Sequence, residues 1–177
     1  MKKSILIVLF LSMSTFAAKS QGLTAVPYQD IVFRLMEHLP ALPASKFQPS
    51  NLLSFAKSMI GTRYRYASSN PKIGFDCSGF VNYVFKNFGV NAPRSSRDFA
   101  TKGHDKKLAD AQVGDVIVFT GTNSRVRRVG HVGIISEVDG DEIKFIHSSS
   151  GSAKGVTITS LNEGFYKKRF MKVVSIL

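Results

Sequence analysis

The sequence predicts an α+β domain in which helices precede an antiparallel β-sheet. Apolar residues recur at helical spacing in two segments, one that begins after Ser50 or Asn51 and one that begins at Cys77. Further along, the pattern changes to short β-rich runs separated by Gly, Asp and Asn turns. These runs are residues 116–119, 131–138, 143–147, 156–158 and 171–176. Helices followed by strands, rather than alternating with them, are typical of α+β domains.

The two predicted helices have recognisable ends. The first has Ser50 or Asn51 as its N-cap and ends at Gly61. The second runs from about Cys77 to Phe88 and has one apolar face. That face consists of Phe80, Val81, Val84, Phe85 and Phe88. We therefore expect the second helix to bury this face, with Cys77 in its first turn.

The N-terminus has the pattern of a secretory signal peptide. Two lysines precede an apolar run at residues 5–10, and small residues follow at Ala17 and Ala18. The run is too short to span a bilayer, which takes about 20 residues, so we expect cleavage after Ala17 or after Ser20. No cysteine lies near this point to carry a lipid. The prediction is an exported protein, periplasmic or extracellular, with no stable membrane anchor after cleavage.

The rest of the chain is expected to form one domain with an N-terminal extension. We divide it into a signal peptide at residues 1–20, an extension at 21–49 and a single folded domain at 50–177. The extension holds four of the six prolines, which favours an irregular segment over a separate module. After cleavage about 155 residues remain, enough for one hydrophobic core but hardly for two.

The charge of the chain indicates a polyanionic partner. The net charge of +12 falls to +9 when the three lysines of the leader are removed. An excess of this size attracts anions without selecting a particular chemistry. Nucleic acid, an anionic membrane surface and the bacterial envelope all fit, and export argues against nucleic acid. We expect a monomer that associates with the anionic cell envelope.

Cys77 is the one cysteine of the chain and a candidate nucleophile. It lies at the predicted start of a helix, where unpaired N–H groups and the helix dipole favour a thiolate. The alternative is that Cys77 is a small buried hydrophobic residue, as free cysteines often are. An exported protein usually pairs its cysteines, and a lone cysteine has no partner in the chain. The predicted export therefore favours a catalytic thiol.

A thiol nucleophile needs a base and a group to orient that base, and two histidines fit these roles. His131 opens one apolar strand and His147 ends the next. An imidazole in such a strand is out of place unless it faces a cleft. The other two histidines, His38 and His104, lie in polar surroundings and are expected to be ordinary surface residues.

The hairpin between these strands decides whether the two histidines can meet. Side chains alternate between the faces of a strand, so the parity of the connection sets the face that each occupies. A two-residue Asp139-Gly140 turn would pair His147 with Val132 and separate the histidines. A three-residue connection with a G1 bulge at Gly140 would place His131 directly opposite His147. Joint action of the histidines therefore requires the bulged hairpin.

Six blocks of the sequence together resemble the NlpC/P60 family of cysteine peptidases in their order and approximate spacing. They are GTRYRY at 61–66, FDCSGFVNYVF at 75–85, PRSS at 93–96, VGDV at 113–116, GHVGI at 130–134 and FIHSS at 145–149. The resemblance covers about residues 50–177. It implies a papain-like α+β fold and hydrolysis of peptidoglycan stem peptides, often between D-glutamate and the diamino acid. It also implies Cys77 as nucleophile, His131 as base and His147 as the third, orienting residue.

The same resemblance implies three substrate-binding residues and no metal or organic cofactor. Tyr64 corresponds to a tyrosine near the cysteine that helps to bind substrate or the oxyanion. Asp76 and Ser78 correspond to positions that contact the stem peptide in some members. Each residue also has a structural interpretation: Asp76 as a helix cap, Ser78 as a small packing residue and Tyr64 as part of the core.

Two other functions are compatible with these residues. One is a thiol acyltransferase or amidase on the same fold, which would need a long apolar channel for a lipid chain. The other is a wall-binding protein that has lost activity, against which the complete set of Cys77, His131 and His147 argues.

Overall fold

The computed structural model of the protein describes residues 48–176. Its helices are α1 (Pro49–Lys57), α2 (Cys77–Asn87), α3 (Ser96–Lys102) and α4 (Gly164–Lys167), with a 3-10 turn at Leu108–Asp110. Its strands are β1 (Ser69–Asn70), β2 (Gly74–Phe75), β3 (His104–Lys106), β4 (Val116–Thr120), β5 (Val129–Asp139), β6 (Glu142–Ser148), β7 (Val156–Ser160) and β8 (Phe170–Ser175). The predicted signal peptide and all but the last two residues of the extension lie outside the described residues. Within 48–176, no helix has the length and apolar character needed to cross a membrane.

Six strands form one antiparallel sheet in the order β3-β8-β4-β5-β6-β7. The short strands β1 and β2 form a separate ladder directly before α2. Every residue of β4 is buried, so the centre of the sheet is covered on both faces. The long strand β5 pairs with β4 over its first half and with β6 over its second half.

The core is divided between the two faces of the sheet. On one face, α1 and α2 pack against the sheet through Leu52, Phe80, Val84 and Phe85, which meet Val118 and Ile134. The opposite face holds a smaller cluster that contains Phe119, Phe145, Leu161 and Tyr166. Alternation along the strands explains this division, since neighbours such as Val118 and Phe119 point to opposite sides. A sheet buried on both faces holds its strands in a defined register.

The predicted fold class and the five predicted strands are confirmed, with ends shifted by one or two residues. Helix α2 begins at Cys77 as predicted. The predicted N-cap of α1 is wrong: Gln48 caps the helix and Pro49 is its first residue. Proline suits this position because its missing N–H would have no partner there. Helix α1 also ends at Lys57, and a series of turns rather than helix leads to Gly61.

Six elements were not predicted, namely the helices α3 and α4, the strands β1, β2 and β3, and the 3-10 turn. Helix α3 has one fully buried apolar residue, Phe99, so it has no apolar periodicity to detect. Its beginning is marked by Ser95, whose hydroxyl accepts a hydrogen bond from the N–H of Asp98 at 3.2 Å. Strand β3 is a polar edge strand that pairs with β8, and an edge strand of this kind has no alternating pattern.

Candidate active site

Local hydrogen bonds place Cys77 at the first position of α2. The carboxylate of Asp76 accepts the N–H of Gly79 at 2.6 Å and caps the helix. Gly79 has to be glycine, because a Cβ there would collide with the carbonyl oxygen of Ser68. That carbonyl also accepts the N–H of Asp76 at 3.0 Å. The N–H groups of Cys77 and Ser78 are thus the first of the helix, where no intrahelical acceptor exists.

The two histidines predicted to act together are in direct contact at the open end of the β5–β6 hairpin. Nε2 of His131 lies 2.9 Å from Nδ1 of His147, within hydrogen-bond distance. Their rings are perpendicular, with centroids 4.9 Å apart. Both side chains are buried, His147 completely. The thiol of Cys77 lies against the backbone of Val132, the residue that follows His131.

A bulge brings the two histidines to one face of the sheet, but it lies at Ser136 and not at Gly140 as predicted. The turn itself is the two-residue Gly140-Asp141, closed by the pair of Asp139 and Glu142. With this register alone the histidines would occupy opposite faces. One extra residue anywhere in a strand reverses the faces that follow it. The predicted consequence is therefore confirmed, while the predicted position of the bulge is wrong.

Beyond the bulge, the register places Gly133 opposite His147. His131 therefore lies diagonal to His147 and not directly opposite it, which corrects the predicted pairing. A Cβ on Gly133 would lie 2.8 Å from the ring of Phe145 and 3.1 Å from Cβ of His147. The glycine leaves open the space across which the two imidazoles meet.

Further contacts hold the second imidazole in place. Nε2 of His147 lies 3.0 Å from the hydroxyl oxygen of Thr159 on β7. Three aromatic rings pack around the histidine pair, with centroids 4.7 to 5.9 Å from an imidazole. These rings belong to Phe119, Phe145 and Tyr166. Both ring nitrogens of His147 are thus engaged, which leaves Nδ1 of His131 as the nitrogen outside this chain of hydrogen bonds.

The electrostatics of the site favour neutral groups. Burial raises the pKa of the Cys77 thiol, and this effect outweighs the backbone N–H groups around it, which lower the pKa. Burial, followed by the neighbouring His147 and Arg169, holds the pKa of His131 well below its ordinary value. Burial and Arg169 lower the pKa of His147 to about 3. These shifts favour a thiol and two neutral imidazoles over the thiolate that the helix start predicts.

The thiol opens into a cleft of about 490 Å³ that also contains the three predicted substrate-binding residues, Tyr64, Asp76 and Ser78. Asp76 forms a two-armed ion pair with Arg94, at 2.8 and 3.0 Å. A third hydrogen bond joins Arg94 to the hydroxyl of Ser78 at 3.2 Å. Burial, and then the charges of Cys77 and Asp76, raise the pKa of Tyr64. The capping interpretation of Asp76 is thus confirmed, and the same carboxylate also faces the cleft.

Sequence reasoning missed several residues of the site. Thr159 and Tyr166 come from elements after the hairpin, and no motif marks them. In the β6–β7 pair, Thr157 lies directly opposite His147, and Thr159 is two residues further along β7. Residues two apart in a strand share a face, so the Thr159 hydroxyl lies on the same face as His147. Of the remaining histidines, His104 is exposed on the edge strand β3, and His38 lies outside the described residues. In the described part of the chain, no group of three or more His, Cys, Asp or Glu residues is arranged to hold a metal ion.

The sequence of the chain is similar to those of known proteins. The sequence profile of the NlpC/P60 family matches residues 61–175. Murein DD-endopeptidase MepS/Murein LD-carboxypeptidase of Escherichia coli (strain K12) is 37% identical over 119 residues, which are 66% of this chain and 57% of that protein. Gamma-D-glutamyl-L-lysine dipeptidyl-peptidase of Bacillus subtilis (strain 168) is 30% identical over 168 residues, 93% of this chain and 53% of that protein. The chain thus spans little more than half the length of these curated relatives.

A solved structure gives the same result for the fold. The crystal structure of a NlpC/P60 family protein from Bacillus cereus ATCC 10987 superposes with a TM-score of 0.66 at 28% identity. The match covers 74% of this chain and 41% of that one. The predicted family and its papain-like α+β fold are confirmed: the chain belongs to the NlpC/P60 family.

Proposed function

We propose that the protein is an exported cysteine endopeptidase that hydrolyses peptide bonds in the stem peptides of bacterial peptidoglycan. Cys77 is the nucleophile, His131 the base and His147 the group that orients the base. The observation that supports this most directly is the 2.9 Å contact between the two imidazoles. The thiol of Cys77, at a helix start, lies against the backbone of Val132, the residue after His131. The relatives are named as peptidases that act on murein or on gamma-D-glutamyl peptides.

The hydrogen bonds support a specific set of tautomers. If Nδ1 of His131 is to accept the thiol proton, the proton of the neutral ring is on Nε2. Nε2–H then donates to Nδ1 of His147, whose own proton is on Nε2 and is donated to the Thr159 hydroxyl. The low pKa of His147 is consistent with this role, because a protonated His147 would have no lone pair at Nδ1.

The reaction proceeds from this neutral state by general-base catalysis. His131 takes the proton of Cys77 as the sulfur attacks the scissile carbonyl carbon. The N–H groups at the start of α2 stabilise the oxyanion, with Tyr64 at its side. The C–N bond then breaks and His131 gives its proton to the leaving amine. Water, activated by the same imidazole, hydrolyses the thioester and regenerates the thiol.

The polar cleft favours a peptide substrate over a lipid. Its walls include the ion pair of Asp76 and Arg94 and the hydroxyls of Tyr64 and Ser78. A lipid acyltransferase needs a long apolar channel, whereas a stem peptide offers amines, amides and carboxylates to these groups. We propose that the scissile bond is the one between D-glutamate and the diamino acid. The positive net charge associates a monomeric enzyme with the anionic envelope.

Digestion of purified peptidoglycan, followed by mass spectrometry of the fragments, tests this proposal. We expect the parent protein to release fragments that end at D-glutamate. Cys77→Ala should release none while keeping the same thermal unfolding temperature, because no other thiol exists in the chain. Ser58→Ala, on the exposed end of α1, is a matched control that should remain active. Substantial activity in Cys77→Ala would falsify the peptidase proposal.

A further inference from the structure

A second cavity, of about 500 Å³, lies beyond His131 and shares no lining residue with the cleft of Cys77. Besides His131, its walls include Ser149, Glu163, Tyr166 and Arg169. If His131 protonates the leaving amine, as proposed above, the part of the substrate that leaves lies on the His131 side. The second cavity is therefore placed to hold the leaving residue.

Arg169 is the unusual residue of this cavity. Its side chain is buried, with the residue 7% exposed, yet no carboxylate of the described residues forms an ion pair with it. Nε donates to the carbonyl of Gly121 and Nη2 to that of Thr120, both at 2.8 Å. The rings of Phe165 and Tyr166 lie 4.5 and 5.4 Å from the guanidinium carbon.

Among residues 48–176, the third nitrogen of Arg169, Nη1, makes no hydrogen bond to an acceptor. In residues 48–176, every fully buried side-chain polar atom has a hydrogen-bond partner, so Nη1 is not fully buried, and the side chain to which it belongs lines the cavity. A buried cation normally has a counter-ion, because taking a charge out of water is costly. Because Nε and Nη2 of Arg169 donate to backbone carbonyls, Nη1 is fixed in position and available to an anion.

Glu163 gives the cavity a second charge, of opposite sign. It is exposed and lines the same space as Arg169, without an ion pair between the two. A cavity with a fixed guanidinium and a carboxylate at its edge suits a ligand that has an anionic and a cationic group on one carbon. The free end of a diamino acid such as diaminopimelate has this chemistry, while that of lysine has the ammonium alone.

We propose that Arg169 binds the carboxylate at the far end of the leaving diamino acid, so that the enzyme selects diaminopimelate over lysine. This inference rests on the proposed function, since it assigns the leaving-group side of the same reaction. Glu163 receives the ammonium of that same end. Arg169 is then a specificity residue, because it contacts a part of the substrate that does not react.

A pair of tetrapeptides tests this inference. Both have the sequence L-alanyl-γ-D-glutamyl-diamino acid-D-alanine, one with meso-diaminopimelate and one with L-lysine, so they differ by one carboxylate. We expect kcat/KM of the parent to be about tenfold or more higher for the diaminopimelate peptide, the usual effect of one hydrogen bond to a charged group. Arg169→Gln should bring this ratio close to one, mostly by reducing kcat/KM for the diaminopimelate peptide. Arg169→Lys should keep part of the preference.

The control and a binding measurement separate the possible failures. Lys168→Gln removes the same charge from an exposed neighbour and should leave the ratio unchanged. Calorimetric binding of both peptides to Cys77→Ala protein measures the preference without turnover. Equal kcat/KM and equal affinity for the two peptides, or an equal loss for both in Arg169→Gln, overturns the inference and leaves the peptidase proposal standing. Preferential binding without cleavage by the parent refutes the peptidase proposal and supports the role of Arg169.

Discussion

The cysteine and the histidines of the proposed site are positioned in different ways. Cys77 is placed by its immediate neighbours, through the cap of Asp76 and the close approach that Gly79 allows. The histidines instead depend on the register of three strands and on rings from two further elements. The cysteine side is thus determined by local hydrogen bonds and the histidine side by tertiary packing. Backbone changes that remove no catalytic group should therefore damage the histidine side most.

The largest effects are expected from the histidines themselves. His131→Ala should reduce kcat/KM by about 10⁴-fold or more, because the proposed mechanism uses this imidazole to take the thiol proton. His147→Ala should leave more activity, since an orienting group affects the position of the base and not its presence. Steady-state kinetics on a soluble stem peptide measures both, with thermal unfolding as the control for folding. Similar tolerance at the two positions would mean that the roles are misassigned.

Gly133→Val tests the histidine side without removing an ionisable group. The new side chain would meet the ring of Phe145 and Cβ of His147, so the imidazoles must move apart. A displacement of about 1 Å in a catalytic group costs on the order of 100-fold in rate, which is the loss that we expect in kcat. Gly164→Ala is the matched control, because a Cβ there meets no atom within 4 Å. Full activity in Gly133→Val would contradict the importance of strand register.

Thr159→Val examines the outermost hydrogen bond of the histidine chain. The change keeps the shape of the side chain and removes the hydroxyl that lies 3.0 Å from Nε2 of His147. The loss of one such bond corresponds to about a tenfold decrease in kcat/KM. Thr159→Ser should restore most of the activity. The control is Thr157→Val, which changes another threonine of β7, the one that pairs directly with His147. An equal loss of activity in this variant would mean that the effect of Thr159→Val comes from altered packing and not from the lost hydrogen bond.

The smallest expected effect is a shift in the pH dependence of thiol alkylation. Because burial raises the pKa of Cys77, its reaction with iodoacetamide should increase with pH through a midpoint above the ordinary value of about 8.5. The unfolded protein should show the ordinary midpoint. A plateau of fast alkylation extending to acidic pH would instead indicate a thiolate–imidazolium pair, and would show that the helix start outweighs burial.

Features fixed by neighbouring residues could be predicted from the sequence, whereas features fixed by tertiary packing could not. The start of α2, its cap and the five strands were predictable because capping residues and apolar periodicity act over a few neighbouring residues. The bulge at Ser136 was not, since a small buried serine at the end of an apolar run gives no signal for where an extra residue is inserted. The N-cap of α1 was missed because two good capping residues follow the proline that begins the helix.

By itself the sequence determined the family, the fold class, the candidate nucleophile and the need for both histidines on one face. Only the tertiary structure decided how that requirement is met: the position of the bulge, the diagonal contact across Gly133, and the partners Thr159 and Tyr166. It also decided the direction of the pKa shift of Cys77, because burial acts against the thiolate that a helix start favours. The physical reason is the distance along the chain over which each interaction acts. Hydrogen bonds to neighbouring residues are encoded locally, whereas register, burial and desolvation depend on all the elements that pack around a group.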